Sequence, residues 1–513
     1  MKRISLFLST MALTTMFMSV KAGEKQNIPK RTFRNFSGVC HGSINSEPLW
    51  KQALGWDRFD VAWASAESTR GKWNQKYIDK ISQRILTAKS KGVTFLPIIN
   101  YSVSWAAECP NQDFEIAGKR FTLKKQPDGR YELRGFNKSF INGKEQWEEV
   151  FNRKVSAHRM GTRWLSENHV SDWENYIRKI VSTYRQAPYE LEYFQIWNEA
   201  WPTSSFWYGN MDSYMTDVHM PAAKIIHELG GKVVYGGWIC GAPISELVKY
   251  MDKHSAWNSI DVFDLHYFPI SSMEYLYREL SKRGLEHKGI WQTEIGFSSD
   301  PNYVGNVYPR VLHWALSRDW NWTDKFKFFY FAYSSPNDPK AYGFGRSLLL
   351  GKELSHSGRS LQAMAEIFSG GELKLYTSVH SKPCLKPELN EKLSSLESFK
   401  VGNKIICAIH MLPANNAKIF VDWNNNMDTI HLDYECPRIK LYFPEITLSE
   451  VNSVERISMY GSKIDISKYL RPESNGFSIT VPVREPDVKE FQYTDMPESF
   501  LPEVFYTVIN MKK

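Results

Sequence analysis

The sequence predicts a (β/α)8 barrel followed by a C-terminal β-sandwich. Three observations carry this. From about residue 36 to 370, short apolar or aromatic runs alternate with amphipathic helical patterns, as repeated β-α units around a parallel sheet should. The runs number eight. After the segment SGRSLQAMAEIFSG (357–370) the helices stop, and short β-rich runs separated by turn residues take over. At 513 residues the chain exceeds one ordinary domain, and it accommodates a barrel of about 250 residues or more plus an accessory domain.

The eight candidate strands are FSGVCH (36–41), DRFDVAW (57–63), VTFLPIIN (93–100), LEYFQIWN (191–198), KVVYGGWI (232–239), DVFDLHYF (261–268), GIWQTEIG (289–296) and KFFYFAY (327–333). Several are near-continuous apolar runs, as strands covered on both faces should be. Between them, Tyr77, Ile78, Ile81, Ile85 and Leu86 define one helix face, and Trp173, Tyr176, Ile177, Ile180, Val181 and Tyr184 another. Ser171 with Glu174, and Ser271 with Glu274, have the spacing of capping boxes. An open doubly wound sheet is the lesser alternative, because no G-x-G-x-x-G turn follows the first strand.

One interval is too long for a simple β-α link. Residues 106–153, between strands three and four, alternate charged and aromatic residues around Pro127-Asp128-Gly129 and read as a hairpin-bearing insertion. Because it follows a strand, it is expected on the C-terminal face of the barrel, either walling a cleft or decorating the surface. The barrel is assigned to 23–370. Runs such as KIICAIHML, RIKLYF and FSITVPV assign 371–513 to the sandwich.

Residues 1–22 combine Lys2 and Arg3, an apolar core and small residues at the end, which reads as a signal peptide cleaved after Ala22. An exported protein, periplasmic or extracellular, is expected, with no membrane association after cleavage. The formal net charge of +8 includes Lys2, Arg3 and Lys21. No dense Lys/Arg run with interleaved aromatics is present, so nucleic acid is not an expected partner. The six cysteines lie far apart without a C-x-x-C pair, which gives metal ligation no support and leaves disulfides and free thiols both open. Aromatic residues make up 14% of the chain, with 18 Trp, a content that serves carbohydrate handling or a large core.

The chemistry is concentrated at two strand ends. LEYFQIWNEAW stops on Asn198-Glu199 at the end of strand four, and GIWQTEIG carries Glu294 at the end of strand seven. Both ends face the barrel mouth, so the two carboxyls converge on one pocket. Two facing carboxyls suit glycosidic bond cleavage, where one protonates the leaving oxygen and the other supports an oxocarbenium-like centre. Their mutual charge and partial burial are expected to raise one carboxyl pKa.

W-N-E at the end of strand four with a Glu at the end of strand seven resembles glycoside hydrolase clan A, the retaining (β/α)8 glycosidases, and most closely family 39. R-F-D-x-x-W with Glu67 and Gly71, and D-L-H-Y, also resemble the clan's second and sixth β-α segments. The resemblance implies Glu199 as general acid/base, Glu294 as nucleophile, Asn198 as a ligand of the sugar 2-hydroxyl, and His266 and Tyr267 beside the nucleophile. No metal or organic cofactor is implied. The implied partner is an oligosaccharide or polysaccharide of plant or host origin with a β-linked sugar, attacked from its end. Endo action, and a catalytically inactive carbohydrate-binding barrel, are the alternatives.

Other residues are read from position alone. Arg58 is expected to orient a catalytic carboxylate or to form a structural salt bridge. Trp105, Trp201, Trp207, Trp238 and Phe297 follow strand ends, where each either stacks on a sugar or packs. Trp197 and Trp291, within strands, are assigned to the core. Oligomeric state is not set by the sequence.

Overall fold

The computed structural model describes residues 31–43, 49–298, 300–318, 324–336, 338, 345–383, 394–411, 418–421, 430–432, 438–482, 492–495 and 504–512. The expected signal segment, Cys384 and Cys436 lie outside these residues. No helix among the described residues is long and apolar enough to cross a membrane.

All eight expected barrel strands form. They are β1 (Ser37–Cys40), β2 (Trp56–Ala62), β3 (Thr94–Asn100), β4 (Tyr193–Ile196), β5 (Lys232–Val234), β6 (Val262–His266), β7 (Gly289–Ile295) and β8 (Phe328–Tyr330). Each pairs in parallel with its sequence neighbours, and β8 closes on β1. Strands β4, β6 and β7 are buried throughout, which is why they read as unbroken apolar runs.

The helix Val170–Arg185 buries the predicted stripe of Trp173, Tyr176, Ile177, Ile180, Val181 and Tyr184. Neither expected capping box forms. A 3-10 turn, Glu167–His169, runs into this helix, so Ser171 already lies inside it, and Asp172 accepts from His169 Nδ1 instead. The other helix starts at Ile270 behind Pro269, which leaves Glu274 to receive Arg278 and the Trp314 indole.

The insertion is a four-stranded antiparallel sheet (Gln112–Ile116, Lys119–Lys125, Tyr131–Ile141, Lys144–Val155), larger than a hairpin. Its turn at Pro127-Asp128-Gly129 closes with Gly129 N–H on the Gln126 carbonyl at φ +80°. The sheet is moored to the loop after β4. Gln112 Oε1 accepts from the Asn210 backbone and side chain, and Arg153 donates to the Ser204 carbonyl.

Beyond the helix His356–Ile367, a six-stranded and a four-stranded antiparallel sheet face each other. Ile405, Cys407 and Ile409 from the first pack with Ile439, Leu441, Ile479 and Val481 from the second. Between them, Ile406 and Ala408 turn to the opposite face and join the core of the barrel. The period of two therefore makes one strand serve two cores. The sandwich buttresses the barrel through that second face, with Phe368 edge-on to Phe399 and Tyr506.

Candidate active site

The inward faces of the barrel strands form layers, because inward side chains recur every second residue. Trp56, Tyr193, Val262, Trp291 and Phe329 fill the lower layer. Two residues further along β2, β4, β6 and β7 stand Arg58, Gln195, Asp264 and Thr293, all fully buried. This polar layer carries the carboxylates above it.

Arg58 is the hub. Its Nη1 donates to Glu294 Oε1 at 2.7 Å, Nη2 to Asn198 Oδ1 at 2.6 Å and Nε to Gln195 Oε1 at 2.7 Å. Its exposure is 0%. Arg58 therefore positions the nucleophile candidate and Asn198, as one of the sequence readings held, and does not itself meet substrate. Glu294 also accepts from the Tyr267 hydroxyl at 3.1 Å. Burial pushes its carboxyl up, but the opposing charges of His266 and Arg58 and the hydrogen bonds from Arg58 and Tyr267 outweigh this and hold it below the ordinary range.

Glu199 meets a different surrounding. Its Oε1 faces His266 Nδ1 at 2.9 Å, while His266 Nε2 lies 3.2 Å from Asp264 Oδ2 and 3.1 Å from Thr293 Oγ1. Asp264 in turn accepts from the Thr293 backbone and hydroxyl. Burial lowers the His266 pKa, but Glu294, Asp264 and the hydrogen bonds to Asp264 and Glu199 carry it up to about 10. The ring is an imidazolium at neutral pH, donating from both nitrogens. Like Arg58, it is fully buried and positions a carboxyl rather than touching sugar.

One carboxylate oxygen of Glu199, one of Glu294 and a ring nitrogen of His266 lie within 4.8 Å of one another. Such a trio has metal-ligand spacing, but its atoms are already engaged with one another and with Arg58 and Tyr267. With one oxygen of each carboxyl inside 4.8 Å of the other, the pair is closer than the gap of roughly 6.5 to 9.5 Å that inverting glycosidases need for a water, which leaves the short arrangement used for retention.

Local backbone departures aim these groups. Glu294 follows Thr293 directly, yet both face the interior. Strand β7 makes this possible with a bulge, since Asp264 pairs with Trp291 but His266 with Glu294. His41, Trp197, Glu199, Tyr267 and Phe297 all have positive φ just past a barrel strand, a concentration of strain at the mouth. Gly237, at φ +71°, admits the His266 ring, which a Cβ there would meet at 2.3 Å. Sequence reasoning missed Asp264, Thr293, Gln195 and Gly237. The D-L-H spacing on β6, which puts Asp264 and His266 on one face, was the available signal.

Both carboxylates, Asn198, His266, Tyr267 and Arg58 are thus brought together. The indoles are not. Trp238 is 1% exposed and gives its Nε1 to the Ala242 carbonyl, so it is a packing residue and not a sugar platform. Trp201 is edge-on to it at 5.1 Å and 6% exposed. Trp105 is half-buried against Trp63 with its Nε1 on the Glu67 carbonyl. Trp197 and Trp291 are core residues, as expected.

No protein-family model matches the chain, and no curated protein matches it. Solved structures do. A glycoside hydrolase family 30 subfamily 8 xylanase from Clostridium acetobutylicum aligns with a TM-score of 0.51 at 11% identity, covering 94% of this chain and 97% of that one. A family 30 endoxylanase from Clostridium papyrosolvens C71 aligns at 0.50 and 11%, over 94% and 97%. A family 39 glycoside hydrolase from the gut symbiont Bacteroides cellulosilyticus aligns at 0.50 and 12%, over 94% and 81%. At such identities the likeness is one of fold: this chain has the barrel-plus-β-domain fold of those glycoside hydrolases.

Proposed function

We propose that this protein is a retaining glycoside hydrolase of the clan A type, with Glu294 as nucleophile and Glu199 as general acid/base. The observation that carries the reading is the unequal treatment of two close carboxyls: Glu294 is held as a carboxylate by Arg58 and Tyr267, whereas among the described residues only the His266 side chain hydrogen-bonds the Glu199 carboxyl. Fold likeness to the xylanases and the family 39 enzyme supports it.

In the first step a Glu294 oxygen attacks the anomeric carbon as the glycosidic C–O bond breaks, and Glu199 gives its proton to the leaving oxygen. In the second, water attacks the same carbon, the bond to Glu294 breaks, and Glu199 takes the water's proton. In this scheme Asn198, held by Arg58, bonds the sugar 2-hydroxyl. No cofactor takes part in this scheme.

The finer reading is an exported enzyme attacking a β-linked sugar from the chain end. Residues 1–22 support export, and the inserted sheet moored beside the loop after Glu199 supports a walled pocket. The test is a panel of aryl β-glycosides and plant and host oligosaccharides, run with Glu294→Ala and Glu199→Ala. Loss of activity in Glu294→Ala with azide rescue to an inverted glycosyl azide is expected. A folded protein that binds glycans but cuts none would instead make it a carbohydrate-binding barrel.

A further inference from the structure

Three guanidinium groups converge on residues 204–208, the loop that follows Glu199. Arg153 donates Nη1 to the Ser204 carbonyl. Arg159 donates Nε to the Tyr208 hydroxyl at 2.9 Å and Nη2 to the Ser205 carbonyl at 3.3 Å. Arg163 donates Nε to the same Ser205 carbonyl at 3.3 Å and Nη1 to its neighbour Thr162 at 3.2 Å. All these acceptors are neutral. Other arginines meet carboxylates, as Arg70 does with Asp172, Arg84 with Asp57 and Arg134 with Glu149, and those held by carbonyls alone, such as Arg34 and Arg471, stand singly and away from the mouth. Among the described residues, none of the three has a carboxylate at ion-pair distance, and Arg163 Nη2 and Arg159 Nη1 have no acceptor.

Arg163 fixes where this charge lies. Its guanidinium carbon stands 3.5 Å from the centroid of the Tyr101 ring, and Tyr101 directly follows the last residue of β3. The same ring stacks on Phe206 at 5.7 Å and meets Trp197 edge-on at 5.3 Å. The cation is therefore half-buried beside the ends of β3 and β4, on the Glu199 side of the mouth. Burial, and to a lesser degree the like charge of Arg159, push its pKa down. Asp60 acts on it only from a distance. A partly desolvated cation with no carboxylate in contact is costly, and a guanidinium fork is shaped for a planar or tetrahedral oxyanion.

We propose that Arg163, with Arg159 and Arg153, binds an anionic substituent of the glycan, a carboxylate or a sulfate ester, beside the cleavage site. The proposal rests on the glycoside hydrolase reading, which it sharpens to acidic glycans as the substrate class. Tyr101 and Phe206 supply the aromatic floor that keeps the Arg163 fork in place.

The test is calorimetric titration of the full chain carrying Glu294→Gln, to stop turnover, with three hexasaccharide probes. They are a heparosan oligosaccharide with uronate but no sulfate, a keratan sulfate oligosaccharide with sulfate but no uronate, and neutral xylohexaose. At least one acidic probe is expected to bind more tightly than xylohexaose, with affinity falling as salt rises. Adding Arg163→Gln should cut the acidic-over-neutral ratio about tenfold or more, and Arg163→Lys, which keeps the charge but loses the fork, should cut it less. Binding of heparosan alone assigns a carboxylate, and of keratan sulfate alone a sulfate. Equal binding of all three probes, or an unchanged ratio in Arg163→Gln with an unaltered thermal midpoint, overturns the proposal. Glu294-dependent cleavage of neutral aryl glycosides alongside that result would leave the hydrolase reading intact. Selective acidic binding without cleavage of any substrate would do the reverse.

Discussion

The two ends of the barrel are built from the same strands and hold opposite chemistry. At the bottom, Trp56 meets Trp291 at 5.5 Å and Tyr193 meets Trp291 at 5.0 Å, closing the interior with rings. At the top, the continuation of those strands gives Arg58, Asn198, Glu199 and Glu294, linked by short charge-assisted bonds and flanked by residues at positive φ. Even the bottom's own cation differs: Lys327 sits 4.7 Å from the centre of the Trp56 ring, and burial pushes its pKa down to about 7, whereas carboxylates push that of His266 up. Apolar packing dominates below and charge above, with the layer of Arg58, Gln195, Asp264 and Thr293 between them.

Substitutions at the two ends should separate these roles. Glu294→Gln is expected to lower kcat by about four orders of magnitude or more while shifting the thermal midpoint little, read by steady-state kinetics beside calorimetry. Trp291→Ala should do the opposite, costing about 3 to 5 kcal/mol in denaturant unfolding while the molecules that remain folded keep their turnover. A large loss of turnover in that folded fraction would break the division of labour.

Asp264→Asn probes the connecting layer. Removing this charge takes away a force that raises the His266 pKa. The variant should lose about ten- to a hundredfold in kcat, and the alkaline limb of its pH profile should move to lower pH. A uniform loss with an unmoved limb would reduce Asp264 to packing. His266 should also shape stability. Its folded pKa of about 10 exceeds the ordinary 6.5, so its contribution is fully present below about pH 6.5 and is lost as pH rises through 10. Unfolding free energies of wild type and His266→Gln, measured from pH 6 to 10, should therefore converge as pH rises. The smallest effect is expected for Tyr267→Phe, which removes one of the bonds to Glu294 and should cost about tenfold in kcat.

The same contrast explains what the sequence discloses. Strands such as β4, β6 and β7 are legible because both their faces are buried, and Glu199 and Glu294 because a carboxylate ending an apolar run is conspicuous. Asp264 and Thr293 are not, since inside VFDLH and IWQTEI they look like interruptions of a core strand. The bulge that turns Glu294 inward is invisible for a related reason: strict alternation places Glu294 on the face opposite Thr293. Trp238 misleads because a strand-end indole has the same position whether it faces sugar or, as here, the Ala242 carbonyl. The insertion reads as no more than a hairpin because its longest strand, Lys144–Val155, carries charges on both faces. The capping boxes are missing because each helix begins before its Ser, through the 3-10 turn Glu167–His169 in one case and at Ile270, directly behind an extended Pro269, in the other.

The central claim is that Glu294, held by Arg58, forms the covalent bond to the sugar. Its most direct test is to incubate the protein with the activated 2-deoxy-2-fluoro glycoside of whichever sugar the aryl-glycoside panel shows to be cleaved, digest it and locate the label by mass spectrometry. The account predicts one sugar per chain on the peptide containing Glu294, and none when Glu294 is replaced. A label on the Glu199 peptide, or turnover with inversion and no trapped intermediate, would contradict it.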